Sequence, residues 1–194
     1  MKEGIECEGK GVFTESSETA STDMIRKVGE IKLLILDVDG VLTGGSITYS
    51  DDGREYKSFN VRDGHGIKLL MRAGIEVAVI TARSSAIVER RCRELGIERL
   101  YQGALTKLTV YEELLLELGL EPIETAYVGD DLIDLPVLVR AGFSAAPCDA
   151  AGEVRSVVDC VTKAAGGAGA VREVVEIILK IQGKWEEVTE RYRV

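Results

Sequence analysis

Leu33-Leu34-Ile35-Leu36-Asp37-Val38-Asp39-Gly40-Val41-Leu42-Thr43 is the stretch on which the fold turns. Four consecutive aliphatic residues read as a strand covered on both faces, which is the habit of a parallel sheet flanked by helices. The run ends on two carboxylates separated by one residue, and strand alternation sends Asp37 and Asp39 to one side. Two carboxylates held close repel each other unless a cation or a shared proton compensates. A hard cation such as Mg²⁺ meets that need, because it takes oxygen ligands and keeps waters for a substrate.

Outward from this stretch the apolar runs continue. Residues 32–38, 76–81, 125–129, 143–146 and, more weakly, 159–162 read as buried strands. Between them, 66–73, 85–95, 107–118, 132–141 and 170–181 carry helical periodicity, several closing on a glycine (Gly74, Gly96, Gly119, Gly142, Gly183) suited to a left-handed C-terminal position. Strand and helix alternate, so the expected architecture is α/β: a doubly wound, Rossmann-like, mostly parallel sheet with helices on both faces and right-handed crossovers. One segment breaks the rhythm. Residues 46–60 alternate on either side of Asp51-Asp52-Gly53 and predict a β-hairpin flap after the first strand, over the sheet edge where ligands bind.

The chain has 194 residues and a net charge of −9, with 24 Lys and Arg against 33 Asp and Glu. That balance disfavours nucleic acid as a partner, and the length fits one domain. Residues 1–29 read as a flexible or loosely docked N-terminal segment, 30–183 as the single catalytic domain and 184–194 as a C-terminal tail. No apolar run is long enough for a membrane span, and the acidic N-terminal stretch lacks the basic and apolar regions of a signal peptide, so the expected location is the cytoplasm. Four cysteines without a C-x-x-C spacing and a single histidine, His65, leave carboxylates, hydroxyls and amines to carry the chemistry. His65 is expected to cap or pack a helix start. No G-x-G-x-x-G accompanies the Gly64-His65-Gly66 or Gly167-Ala168-Gly169 runs, which argues against a dinucleotide.

A second acidic cluster, Gly129-Asp130-Asp131-Leu132-Ile133-Asp134, follows another apolar strand. Taken alone, either cluster is a helix-capping loop as readily as a site; two at strand ends of one sheet can converge on a cation. Thr81 ends the strand at 76–81 and can offer a hydroxyl, with the amides that follow, to phosphoryl oxygens. Lys107 begins a helix, the end at which the helix dipole disfavours a cation, so an anionic partner is expected there.

Asp37-Val38-Asp39-Gly40, Thr81, Lys107 and Gly129-Asp130-Asp131-x-x-Asp134, in this order, resemble the four motifs of the haloacid dehalogenase superfamily of aspartate-nucleophile phosphatases. Further runs, Phe59 to Ile67, Leu100-Tyr101-Gln102-Gly103, Ala126 to Asp134 and Gly169 to Glu173, resemble its capless branch acting on 3-deoxy-octulosonate 8-phosphate. The resemblance implies Asp37 as nucleophile, Asp39 as acid/base, and Thr81 and Lys107 as phosphate-holding catalytic residues. It assigns Mg²⁺ to Asp37, the Asp39 carbonyl and Asp130, with Asp131 and Asp134 in support. Asn60, Arg62, Asp63, Gly64, Lys68, Arg83, Arg91 and Lys107 become the expected substrate contacts. It also implies no cap domain, and a homotetramer in which the hairpin and the C-terminal Gly-rich segment of neighbouring subunits close the site. Two positions depart from the family pattern: Ala82 stands where Gly is usual and Ala168 where Arg is common. Alternative readings are a phosphatase of the related nononate 9-phosphate or of small phosphate esters, a phospho-accepting receiver module, and an inactive scaffold.

Overall fold

The computed structural model describes residues 17–193. Helix α1 (Ser17–Gly29) leads into β1 (Leu33–Leu36), followed by the hairpin strands β2 (Thr48–Tyr49) and β3 (Glu55–Tyr56). Then come α2 (Val61–Arg72), β4 (Glu76–Ile80), α3 (Ala86–Leu95), β5 (Arg99–Tyr101), α4 (Lys107–Leu118) and β6 (Thr125–Val128). A 3₁₀ turn at Leu132–Asp134 runs into α5 (Leu135–Leu138), and β7 (Phe143–Ala146), α6 (Gly152–Val157), β8 (Cys160–Val161), α7 (Ala170–Ile181) and α8 (Trp185–Thr189) complete the described chain. The main sheet has the order β5-β4-β1-β6-β7-β8, parallel throughout, with β1 between β4 and β6. The hairpin is a separate two-stranded antiparallel sheet.

Alternation along the strands sorts the core into two layers. Leu34 and Leu36 of β1 join Val77, Val79, Ala126 and Val128 against α2, α3 and α7 through Ile67, Leu70, Val88, Val171 and Val174. Leu33 and Ile35, with Ala78, Ile80 and Tyr127, pack against α4, α5 and α6 through Tyr111, Leu114, Val137 and Val154. Asp37 continues the parity of Leu33 and Ile35, so it leaves the sheet toward the layer of α4, whose first residue is Lys107. The alternation expected to carry on to Asp39 stops short. β1 ends at Leu36, and Val38 O accepts from the amides of Leu42 and Thr43 at 2.9 and 3.0 Å, so the chain has already turned at Asp39.

Helix α2 begins five residues earlier than the periodicity implied. Asn60 caps it by accepting from the Arg62 amide at 2.8 Å, and Gly64 and Gly66 lie within it as close-packing positions rather than breakers. The strand β5 escaped the sequence reading because its three residues are only half-buried at the sheet edge. Residues 1–16 of the expected N-terminal segment lie outside the described residues. The rest of it is α1, which seats Val28 fully in the core and pairs Lys27 with Asp159 at 2.7 Å. The expected C-terminal tail contains α8, which buries Val188 and sets Trp185 beside the core.

Gly142 differs in kind from the other helix-ending glycines. It has no positive φ; its need for hydrogen comes from space, since a Cβ there would lie 2.3 Å from Ile123 O while its amide donates to Pro122 O at 2.8 Å. Gly142→Ala is therefore expected to force backbone apart and destabilise by about 1–3 kcal/mol, read as a lower urea midpoint at unchanged slope.

Candidate active site

The carboxyl ends of β1 and β6, adjacent in the sheet, bring the two acidic clusters together. One carboxylate oxygen from each of Asp37, Asp130 and Asp134 lies within 4.8 Å of the others. Gly40 makes the approach possible: it adopts φ +94°, and a Cβ on it would sit 2.0 Å from Asp130 Oδ2. The Gly-rich segment presses from the other side, with the Gly167 amide donating to Val41 O at 2.9 Å and Gly166 against the Gly40 carbonyl. This segment, expected to close a neighbouring subunit's site, is thus seated on the Asp37–Thr43 loop of its own chain.

The three carboxylates are not equivalent. Asp134 is fully buried and committed at both oxygens. Oδ1 accepts from Lys107 Nζ at 2.6 Å and from the Tyr127 hydroxyl at 2.6 Å, while Oδ2 accepts from the amides of Asp130 and Asp131 at 3.2 and 3.3 Å. Lys107 Nζ also lies 2.7 Å from Asp37 Oδ1, an ion pair whose aligned hydrogen bond goes to Asp134. Asp37 Oδ1 and Asp130 Oδ1 are buried with no hydrogen-bond partner. Burial, opposed by the charge of Lys107 and reinforced by that of Asp134, pushes the Asp37 carboxyl up to about 6. Burial together with the charges of Asp37 and Asp134 pushes Asp130 up to about 7. Burial works against the charge on Lys107, but its two carboxylate partners outweigh it and its pKa is raised.

Asp130 Oδ1 without a partner and Asp37 Oδ1 with the Lys107 ion pair alone, both buried and facing a third carboxylate, are the setting a hard divalent cation fits. Asp37 and Asp130 are the residues that would hold it, and Asp134 is already saturated. Asp131, expected to support the metal, is exposed and uses Oδ1 to cap the following 3₁₀ turn through the Leu132 amide at 2.8 Å. Thr81 is buried one residue past β4, fixed by its amide to Tyr101 O at 2.9 Å and by its carbonyl, which accepts from Ala104 N at 3.0 Å.

Asp39 lies outside the carboxylate triad, under the hairpin. Its Oδ1 pairs with Lys57 and its Oδ2 lies 3.5 Å from Arg83 Nε. Arg83 also reaches Glu55 at 3.3 Å and the Tyr49 hydroxyl at 3.4 Å, which ties the hairpin to the segment after β4. Arg62 and Lys68 are exposed on α2, and Arg91 stacks over Phe59 at 5.7 Å. The remaining expected substrate contacts have structural partners. The Asn60 oxygen caps α2. Asp63 is buried and accepts from the Arg172 amide at 2.7 Å, acting as the cap that Gly169 cannot provide for α7. Gly64 is buried against Arg91 and Leu95. His65 packs through Nε2 to the Tyr192 hydroxyl at 2.9 Å and lies 3.3 Å from Arg172. Sequence reasoning missed Tyr127 and Lys57. Tyr127 looked like one more apolar strand residue, and only its hydroxyl distinguishes it; Lys57 follows Glu55 by two in an alternating strand, a weak signal for a shared inward face.

Against this geometry, residues 64–142 match the haloacid dehalogenase-like hydrolase family. The 3-deoxy-D-manno-octulosonate 8-phosphate phosphatase of Escherichia coli (strain K12) is 51% identical over 167 residues, covering 86% of this chain and 89% of that protein. The chain belongs to this phosphatase family. A crystal structure of the family member from Moraxella catarrhalis, in complex with magnesium ion, phosphate ion and KDO molecule, superposes with a TM-score of 0.87 at 43% identity, covering 89% of this chain and 99% of that one. The family structure from Yersinia pestis gives 0.83 at 48% identity, covering 84% and 89%. Among the described residues, the hairpin is the only strand-bearing insertion between β1 and β4, and no cap domain is inserted there.

Because both raised carboxyls must lose protons to take a cation, binding competes with protonation. The sign is fixed: with folded pKa values raised, the pair's contribution to stability is greatest at acid pH and is lost as pH rises through about 6 and about 7. A cation that binds the ionised pair reverses that slope. Mg²⁺ is expected to raise the melting temperature more at about pH 8 than at about pH 5, and Asp130→Asn to remove most of the increment, as read by scanning fluorimetry.

Proposed function

We propose that this protein is a Mg²⁺-dependent phosphomonoesterase that hydrolyses 3-deoxy-D-manno-octulosonate 8-phosphate to the free sugar acid and phosphate, a step of lipopolysaccharide biosynthesis. The observation that carries the reading is the convergence of the Asp37, Asp130 and Asp134 carboxylates on the single buried ammonium of Lys107, which leaves Asp130 Oδ1 without a partner. Family membership at 51% identity supplies the substrate.

In this mechanism Asp37 attacks the phosphorus atom and the ester oxygen departs, taking a proton from Asp39; the phosphoryl group is then an acyl phosphate on Asp37. Asp39, now a carboxylate, accepts a proton from water, whose oxygen attacks that phosphorus and returns Asp37 and inorganic phosphate. Splitting one displacement into two lowers each barrier, and the acid/base partner contributes about 10²- to 10⁴-fold. Lys107 Nζ, 2.7 Å from the Asp37 carboxylate, neutralises charge on the nucleophile and the phosphoryl oxygens without reorganising. Thr81 and the amides after it orient the phosphoryl group. Bound between Asp37, the Asp39 carbonyl and Asp130, Mg²⁺ supplies the positive charge that lets an anionic nucleophile approach a dianion.

Arg62, Lys68, Arg83 and Arg91 are the cations available to the sugar acid's carboxylate, for which a guanidinium is the better match. The reading includes a cytoplasmic location, consistent with the absence, among the described residues, of any helix long and apolar enough to cross a membrane. It also includes a homotetramer. Ile47, Tyr49 and Tyr56 of the hairpin, Val61, Leu105 and Leu132 are exposed apolar side chains on segments that follow strand carboxyl ends, a rim suited to a neighbouring subunit.

Asp37→Asn is expected to abolish phosphate release while leaving the circular dichroism spectrum unchanged. Chelator is expected to silence the wild type and Mg²⁺ to restore it. In a panel of sugar acid phosphates the octulosonate should give the highest kcat/KM; equal, slow turnover of all esters would replace this reading with a broad-range phosphatase. Light scattering is expected to give the tetramer mass, and a fully active monomer at dilution would remove the oligomer from the reading.

A further inference from the structure

The hairpin is a poor structural element by its own chemistry. Its strands are two residues each, Tyr49 and Tyr56 are mostly exposed, and no member of the hairpin enters either core layer. One side chain contradicts that picture: that of Lys57, a half-buried residue, is only 1% exposed. A lysine ammonium is rarely buried without partners, because desolvating the charge costs several kcal/mol unless it is paired. Its partners are Asp39 Oδ1 and, at 3.6 Å, Glu55 Oε1. Glu55 is in turn fixed by the Ser85 hydroxyl at 2.8 Å and by Arg83. The result is a cluster of two carboxyl groups and two basic side chains, Asp39, Glu55, Lys57 and Arg83, spanning the nucleophile loop, the hairpin and the segment after β4.

The two oxygens of Asp39 are held unequally. Oδ1 has the buried, immobilised Lys57; Oδ2 has only Arg83, 42% exposed and 3.5 Å away, outside good hydrogen-bond range. An exposed guanidinium can leave Oδ2 for an incoming anion at little cost, whereas the buried Lys57 ammonium has besides Asp39 only Glu55, at 3.6 Å. We propose that Lys57 is a positioning residue: by pinning Oδ1 of Asp39 from the hairpin, it presents Oδ2 as the oxygen that gives the proton to the leaving alcohol. This rests on Asp39 being the acid of the proposed reaction. The flap is then part of the acid/base apparatus as well as a cover.

The test uses the dependence on the leaving group. An alkoxide needs the proton as it departs, and a nitrophenolate leaves without one, whereas a loosened site slows both alike. The quantity to compare is kcat/KM, which reports only the steps through alcohol departure. For Lys57→Gln we expect kcat/KM to fall by about 10²-fold for the octulosonate phosphate and for a simple alkyl phosphate, and at most a few-fold for 4-nitrophenyl phosphate. Lys57→Arg should recover part of the alkyl loss. Equal loss with all three esters, or loss with none, overturns the proposal, and loss confined to the sugar acid ester makes Lys57 a substrate contact and overturns it too. Asp39→Asn, run alongside, separates the two levels. If it shows the leaving-group pattern and Lys57→Gln does not, only the role of Lys57 falls; if Asp39→Asn lacks the pattern, the acid assignment itself falls.

Discussion

Repulsion among Asp37, Asp130 and Asp134 is the constraint around which this molecule is arranged. Three carboxylates converge where two neighbouring strands end, and one ammonium stands among them. The fold resolves this unequally. It saturates Asp134 with Lys107, Tyr127 and two amides, and it leaves Asp37 Oδ1 with the Lys107 ion pair alone and Asp130 Oδ1 with no partner, while burial pushes both carboxyls up. Uncompensated charge of this kind is costly in a stability sense and useful in a catalytic one, because a cation and a phosphoryl group bring the missing complement with them.

Much of this was legible in the sequence because the responsible residues lie on strongly patterned elements. A run such as Leu33–Leu36 admits little besides a doubly covered strand, and the carboxylates after it and after Thr125–Val128 had to emerge at one edge of a parallel sheet. Lys107, at the wrong end of its helix for a cation, finds the anionic partners its position implied. The hairpin likewise follows from alternation around Asp51-Asp52-Gly53.

What escaped the sequence depends on contacts between segments far apart in the chain. Alternation placed Asp39 beside Asp37, but the chain turns after Val38 and gives Asp39 to the hairpin. Asp63, which the resemblance places among the substrate contacts, also caps the amide end of α7 through Oδ1, because Gly169 has no side chain to offer. The sequence reading started this helix at Gly66, and a single sequence cannot reveal that Gly64 and Gly66 make room for the neighbouring Arg91 and Arg172. Tyr127 and Lys57 show the same limit from the polar side: each has an ordinary place in its strand, and only the partner's position makes its terminal atom matter.

The back-to-back seating of Gly40 and Gly166 has a consequence for biogenesis. These backbones meet across 126 positions of chain, so the loop bearing Asp37 lacks one wall until the distant glycine segment has left the ribosome. Early in translation the nascent chain can set β1 beside β4, yet it has neither the Asp130 loop nor the glycine segment that packs against the loop of Asp37. A fragment that ends before Gly166 carries Asp37 and Asp39 without the wall that packs against their loop in the folded chain.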